Sequence, residues 1–324
     1  MTEATNEIFK GVNWNESEHP LTQIVWPQLN TQLWLDKEVA VAKDKSTWAL
    51  LNEAEKEAYK KALGGLNLLD TQQGNEGMPY IALALTNQQQ KATLANMAYM
   101  ENIHAQSYST IFDTLLEKAQ ITEVHEWVAH NKQLQYKAKR ITDYYRNITD
   151  NYSLYMAMVA SVFLESFLFY SGFFYPLYMG GNGKLTSSAE MIKLILRDEA
   201  IHGVYIGALA QETYAKLSDN QKAQADAETH ALLDDLMANE IAYTNELYGG
   251  INLAHQVREF LKYNANKALM NLGREAHYDH EPINPIVLNG LSTETDTHDF
   301  FSMKGNGYIK SNVEELSDED FADF

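Results

Sequence analysis

Between Leu154 and Met179 the chain runs for 26 residues with a single charged side chain, Glu165, near the middle. A stretch that long and apolar has two outlets, a membrane span or a helix buried on all sides in a protein core. A carboxylate at the centre of a span would cost about 2.5–3.5 kcal/mol on insertion scales. Pro176 interrupts the end of the run, and its tyrosines are spread along it instead of gathering into two belts. No other segment could pair with it as a second span. The run is therefore expected to be a buried core helix, and Glu165 needs a reason to be inside it.

The rest of the chain agrees with an all-α fold. Hydrophobic residues make up 45% of it, and only six prolines punctuate its helix-forming sequence. Strand-like alternation bounded by Asn-Gly or Asp-Gly turns is hard to find. Helices are expected over Leu21–Leu35, from Asn52 past Asp70, from Asn87 to Ala119, over Thr122–Arg146 and over Tyr152–Tyr178. Further helices are expected from Ser187 through His202, over Asn220–Tyr248 and over Leu253–Asn271. Met78-Pro79 reads as a break, Gly180–Gly183 as a loop, and Ser187 with Glu190 as a capping box. Residues 1–20 read as an irregular arm of a domain spanning 1–289. Residues 290–324 form a flexible acidic tail, with six acids and no base in the last eleven residues.

Charge and cysteine content exclude several functions. The 44 acids against 25 bases leave a net charge of −19, which repels nucleic acid. With no cysteine, the chain has no disulfide, thiolate metal site or dithiol redox centre. The first twenty residues lack the basic and apolar regions of a signal peptide, so the expected location is cytoplasmic, with no membrane partner.

Two strings bring acids and histidines together: Glu101 and His104 in YMENIHAQSYSTIF, and Glu199 and His202 in RDEAIHGVYIG. The i, i+3 spacing puts each pair on one helix face. Spacing alone is weak, because Glu16 and His19 share it, and there Pro20 disfavours helical geometry at His19. Two more acids, Asp70 and Glu165, lie in apolar stretches of two other helices. Ferritin-like di-metal bundles take one carboxylate from each of two helices and Glu-x-x-His from two others. Two carboxylates 4 Å apart repel by roughly 4 kcal/mol at an effective dielectric near 20, so four in one core need cations. Two divalent ions balance four carboxylates, and oxygen-rich ligation with one imidazole per ion suits iron or manganese. Tyr108, at i+4 from His104, directs its ring back toward that turn, within reach of an oxidised metal pair.

With LDTQQGNEGMP, YNANKALMNLG and the tail, these strings make the chain resemble the radical-generating β subunit of class I ribonucleotide reductase, most closely the class Ib branch. The resemblance runs from about Trp14 to the C-terminus. It implies a ferritin-like bundle whose two manganese or iron ions are held by Asp70, Glu101, His104, Glu165, Glu199 and His202. It further implies a bridging oxygen species, a tyrosyl radical on Tyr108, and an apolar pocket made of Phe169, Phe173 and Ile195. Trp34, Asp198 and Tyr308 match the radical-transfer route, and Ser166, Tyr170 and Lys267 match an oxidant channel. The implied partners are a cysteine-bearing catalytic α subunit docked through the tail with Phe321 and Phe324, a flavodoxin-like activating protein, and a second copy of this chain. A metal-storage protein or a two-electron di-metal oxidase would share the ligands without needing Tyr108 or the tail.

Overall fold

The computed structural model describes residues 10–291, and among them every regular element is helical. The helices are α1 (Pro20–Thr31), α2 (Lys45–Leu50), α3 (Glu53–Gln72), α4 (Met78–Ala84), α5 (Gln88–Leu115), α6 (Lys118–His130) and α7 (Lys132–Arg146). They continue with α8 (Asn151–Phe163), α9 (Tyr170–Gly181), α10 (Thr186–Ala215), α11 (Asp219–Tyr248), α12 (Ala254–Asn271) and α13 (Pro285–Leu291). Helix α3 packs on α5, α10 packs on α8 and α9, and the two pairs meet through α3 with α9 and α5 with α10. This is a ferritin-like bundle, with α6, α7, α11 and α12 packed around it.

The apolar run is the centre of that bundle. Every residue from Leu154 to Leu177 is buried. Among the described residues it lies in the one stretch apolar enough to cross a membrane, and that stretch is enclosed by protein. Each large apolar side chain so buried contributes roughly 1.5–3 kcal/mol, so this helix anchors the fold. Pro176 lies within α9. The helix is not regular throughout: Leu164–Leu168 forms a π turn that joins α8 to α9 and carries Glu165.

Several helix ends differ from the sequence expectation. Helix α1 stops at Thr31, short of Leu35, because Gln32 turns its amide to Asp198 and Trp34 enters the core. Met78-Pro79 is not a break. A π turn over Gln73–Gly77 leads directly into α4, where Pro79 sits in the first turn and needs no N–H donor. Helix α5 ends at Leu115, before Ala119. The expected helix Thr122–Arg146 is two, α6 and α7. Asn131 divides them with an extended backbone, and its side chain accepts from the Leu134 amide to cap α7.

The capping box expected at Ser187 and Glu190 does not form. The buried carboxylate of Asp44, far away in sequence, accepts from the amides of Ser187 and Ser188 at 3.0 and 2.7 Å. A negative charge there also suits the helix N-terminus. The short helix α13 extends past the expected tail boundary at 290. Tyr308, Phe321 and Phe324 lie outside the described residues.

Candidate metal centre

Four helical segments converge on one buried point. Asp70 comes from α3, Glu101 and His104 from α5, Glu165 from the π turn, and Glu199 and His202 from α10. None of the six is more than 1% exposed. Their ligating atoms form two groups, Asp70, Glu101, His104 and Glu199, and Glu101, Glu165, Glu199 and His202, each within 4.8 Å. Glu101 and Glu199 belong to both. Glu199 turns Oε1 to His104 Nδ1 at 2.8 Å and Oε2 to His202 Nδ1 at 3.5 Å. Glu101 turns Oε1 to His202 Nδ1 at 2.7 Å and Oε2 to His104 Nδ1 at 3.7 Å. Each shared carboxylate thus offers one oxygen to either side, the arrangement of two bridges. Asp70 lies 3.4 Å from His104 Nδ1, and Glu165 lies 3.8 Å from His202 Nδ1, so these two acids close the ends.

Both oxygens of Asp70, Glu101 and Glu199, Oε2 of Glu165, and Nδ1 of both histidines are buried with no hydrogen-bond partner. Such groups cost roughly 1–3 kcal/mol each when orphaned, and more when charged. A fold that gathers them leaves electron pairs for cations, and the donor set fits two oxygen-preferring divalent ions.

Protonation tells the same story. Burial, and then the charges of Glu101 and Glu199, push the Asp70 carboxyl well above the usual carboxylate range. Burial and the same two acids do so for Glu165. Burial alone would raise Glu199, but its close approach to Glu165, His104 and His202, outside hydrogen-bond geometry, brings it below the usual range. Burial alone would lower His104 and His202. Contacts with Asp198, Asp70, Glu101 and Glu199 raise His104 well above its ordinary value, and Glu101, Glu165 and Glu199 do the same for His202. Without cations, the cluster must hold protons in their place.

Tyr108 lies one turn beyond His104 on α5, fully buried, its hydroxyl without a partner in hydrogen-bond geometry. Burial, and then the charges of Asp70, Glu199 and Glu101, raise its pKa well above ordinary, so the phenol is neutral. Phe169, Phe173 and Ile195 are fully buried, and the two phenylalanine rings pack 5.7 Å apart between centroids.

Trp34, Asp198 and His104 form a connected set. Trp34 Nε1 donates to Asp198 Oδ2 at 2.8 Å, and that oxygen faces His104 Nε2 at 3.1 Å. The Trp34 and His104 rings are stacked 6.2 Å apart. Ser166, Tyr170 and Lys267 are each engaged with other neighbours. Asn271 donates to Ser166 Oγ at 3.0 Å, Tyr170 packs against Phe173 and Phe260, and Lys267 Nζ lies 5.8 Å over the Tyr263 ring. Burial lowers the Lys267 pKa. His19 caps α1 and bonds Glu212, with no part in the centre.

Residues around the centre that sequence reasoning passed over are polar and neutral. Gln73 donates to the Glu165 carboxylate, Ser161 and Tyr145 bond Gln73, and Gln32 donates to Asp198 at 2.8 Å. Gln73 follows Asp70 in the TQQG string, which a search for charged ligands alone does not single out. Gly203, beside His202, keeps α10 close to the π turn, since a Cβ there would lie 2.2 Å from Ser166 Oγ.

Residues 11–285 match the family described as ribonucleotide reductase, small chain. Over 318 residues the chain is 54% identical to the ribonucleoside-diphosphate reductase subunit beta of Bacillus subtilis, covering 97% of both chains. It is 40% identical to ribonucleoside-diphosphate reductase 2 subunit beta of Escherichia coli, covering 96% of this chain and 97% of that one. The dimanganese(II)-NrdF structure of Streptococcus sanguinis superimposes with a TM-score of 0.85 at 41% identity, covering 88% of this chain and all of that one.

Proposed function

Because the chain belongs to the ribonucleotide reductase small-chain family, we propose that it is the β subunit that stores a one-electron oxidising equivalent on Tyr108 and exports it to the catalytic large subunit. The observation that carries this reading is the set of orphaned buried donors on Asp70, Glu101, His104, Glu165, Glu199 and His202 with the neutral Tyr108 beside them. Those six residues would hold two ions, with Glu101 and Glu199 between them. When bound, manganese or iron supplies the redox chemistry that water-exposed side chains of this chain do not. The streptococcal relative holds two manganese(II) ions, which favours the dimanganese form for this protein.

The chain's own residues do the rest. With bound, oxidised ions as the one-electron acceptor, Tyr108 would give up its electron and its hydroxyl proton together, the proton passing toward the neighbouring Asp70 carboxylate, since a bare phenolate or radical cation would be costly in this site. Its burial keeps the resulting radical from solvent reductants, with Phe169, Phe173 and Ile195 as its apolar surroundings. Asp198 sets the proton position on His104 and links it to Trp34, the first step of an outward route ending at Tyr308. The acidic tail with Phe321 and Phe324 docks the catalytic subunit, which supplies the cysteines this chain lacks. Ser166, Tyr170 and Lys267 admit an oxidant delivered by a flavodoxin-like activating protein, and the protein works as a homodimer in the cytoplasm. Domain 1–289 makes the radical, and tail 290–324 delivers it. Family membership sets aside the storage and two-electron readings.

Electron paramagnetic resonance after loading with Mn(II) or Fe(II) and adding oxidant tests the assignment. A tyrosyl signal is expected, and Tyr108→Phe should abolish it. A signal that survives that change overturns the reading. Truncation before Tyr308 should leave the radical intact and end nucleotide reduction with the catalytic subunit.

A further inference from the structure

Glu165 differs from the other terminal carboxylate, Asp70. Both oxygens of Asp70 are orphaned, whereas only Oε2 of Glu165 is. Its Oε1 is taken by the side-chain amide of Gln73. In the ionised form that holds a cation Glu165 only accepts, so there the Gln73 amide presents its nitrogen to it. That choice dictates the rest of the network. The amide nitrogen also donates to Ser161 Oγ at 2.7 Å, and the amide oxygen accepts from Tyr145 Oη at 2.7 Å. Gln73, Ser161, Glu165 and Tyr145 are all fully buried. No polar atom of the Gln73 side chain is idle.

The backbone is shaped to the same end. Gln73 opens one π turn, and Glu165 sits in the other. Such turns shift a side chain off the regular helical repeat and recur at functional sites. Gly77 closes the first turn, and a Cβ there would lie 2.3 Å from Gln73 Oε1. The chain thus gives up side-chain space on α3's continuation to keep the glutamine where it is.

We infer that Gln73 is a positioning residue: it grips Glu165 by Oε1, with Tyr145 anchoring the grip, and leaves Oε2 alone to serve the ion on the His202 side. This rests on the two-ion reading above. It predicts an asymmetry, because the Gln73 side chain bonds the Glu165 carboxylate and not that of Asp70, whose backbone carbonyl alone Gln73 meets through its backbone N–H. Partners of this kind are typically worth 10–100-fold in metal affinity.

The test is Mn(II) titration of the full-length, metal-free protein, following free Mn(II) by electron paramagnetic resonance, beside crystal structures of the Mn(II)-loaded forms. Gln73→Leu should weaken one of the two binding steps by at least about tenfold and leave the other unchanged. In its loaded structure Glu165 should bind with both oxygens or rotate away. Tyr145→Phe, which leaves the amide's contact with Glu165 in place, should weaken the same step by less; it carries the test should Gln73→Leu fail to fold. Two unchanged steps with Glu165 in its wild-type pose would overturn the proposal. So would equal weakening of both steps together with a lowered melting temperature of the metal-free protein, which would make Gln73 merely structural. A wild-type stoichiometry below two ions would overturn the two-ion reading first, and the wild-type titration shows which has failed.

Discussion

Asp198 is surrounded by donors, and that makes its replacement by Asn and by Ala differ in a calculable way. Oδ2 accepts from Trp34 Nε1 at 2.8 Å and faces His104 Nε2 at 3.1 Å. Oδ1 accepts from Gln32 Nε2 at 2.8 Å and lies 3.5 Å from Arg197 Nη2. Asn keeps one acceptor and adds an NH2. With that NH2 toward Trp34, the indole N–H would be stranded, and His104 would have to accept at Nε2. Its proton would then sit on Nδ1, the nitrogen turned toward Asp70, Glu101 and Glu199. With the NH2 toward Gln32, that amide need only turn over and present its oxygen. Asn should adopt the second pose, exchanging the three charge-assisted bonds for neutral ones at about 1 kcal/mol apiece, so about 3 kcal/mol in all.

Ala offers no such escape. It strands the Trp34, Gln32 and His104 donors at roughly 1–3 kcal/mol each, about 6 kcal/mol together at the middle of that range. It also frees the His104 proton to move to Nδ1, which should cost about 10–100-fold in affinity for the ion on that side. Urea unfolding of the metal-free protein reads the first quantity and Mn(II) titration the second. Equal effects of Asp198→Asn and Asp198→Ala, or a larger effect of Asn, would refute the donor accounting.

Away from the centre, Lys137 and Glu240 form a buried pair at 2.6 Å, with the Lys137 ammonium 4.1 Å from the Tyr243 ring. Lys137→Met should cost about 3–5 kcal/mol by stranding Glu240, and adding Glu240→Leu should recover most of it; a shared urea midpoint for single and double variants would contradict this. Asp150 caps α8 through the Ser153 amide, and Ser153 holds its carboxyl below the usual range. Its stabilisation is therefore full above the unfolded pKa near 4 and fades as pH falls through the lower folded value. Asp150→Ala should cost about 1 kcal/mol at pH 6, and the gap from wild type should narrow below pH 4 in urea midpoints; a gap that widens there is the wrong sign. Gly203→Ala, with its Cβ 2.2 Å from Ser166 Oγ, should cost about 1–3 kcal/mol by overpacking, read as a lowered melting temperature.

How much of this was legible beforehand follows from the range of each interaction. The helical class and the buried run show in the hydrophobic pattern, because a helix that is apolar all round has nowhere to go but a core. The candidate ligands show because acids in apolar helices need partners, and the i, i+3 spacing fixes a shared face. The division of α6 from α7 did not show: Asn131 is an ordinary helix-surface residue until its side chain turns to cap Leu134. Nor did the cap on α10, since Asp44 reaches it across more than a hundred residues of chain.

The kinds of atoms at the centre, carboxylate, imidazole and phenol, were thus determined by the sequence, together with the helices that carry them. Their aim was not. That Glu101 and Glu199 each divide their two oxygens between the histidines depends on how four helices are rotated against one another. That Glu165 offers one oxygen depends on two π turns and a neutral glutamine held by Tyr145. Local preference specifies which side chains share a helix face. Where that face points is settled by packing between segments distant in sequence, and only the tertiary structure holds that information.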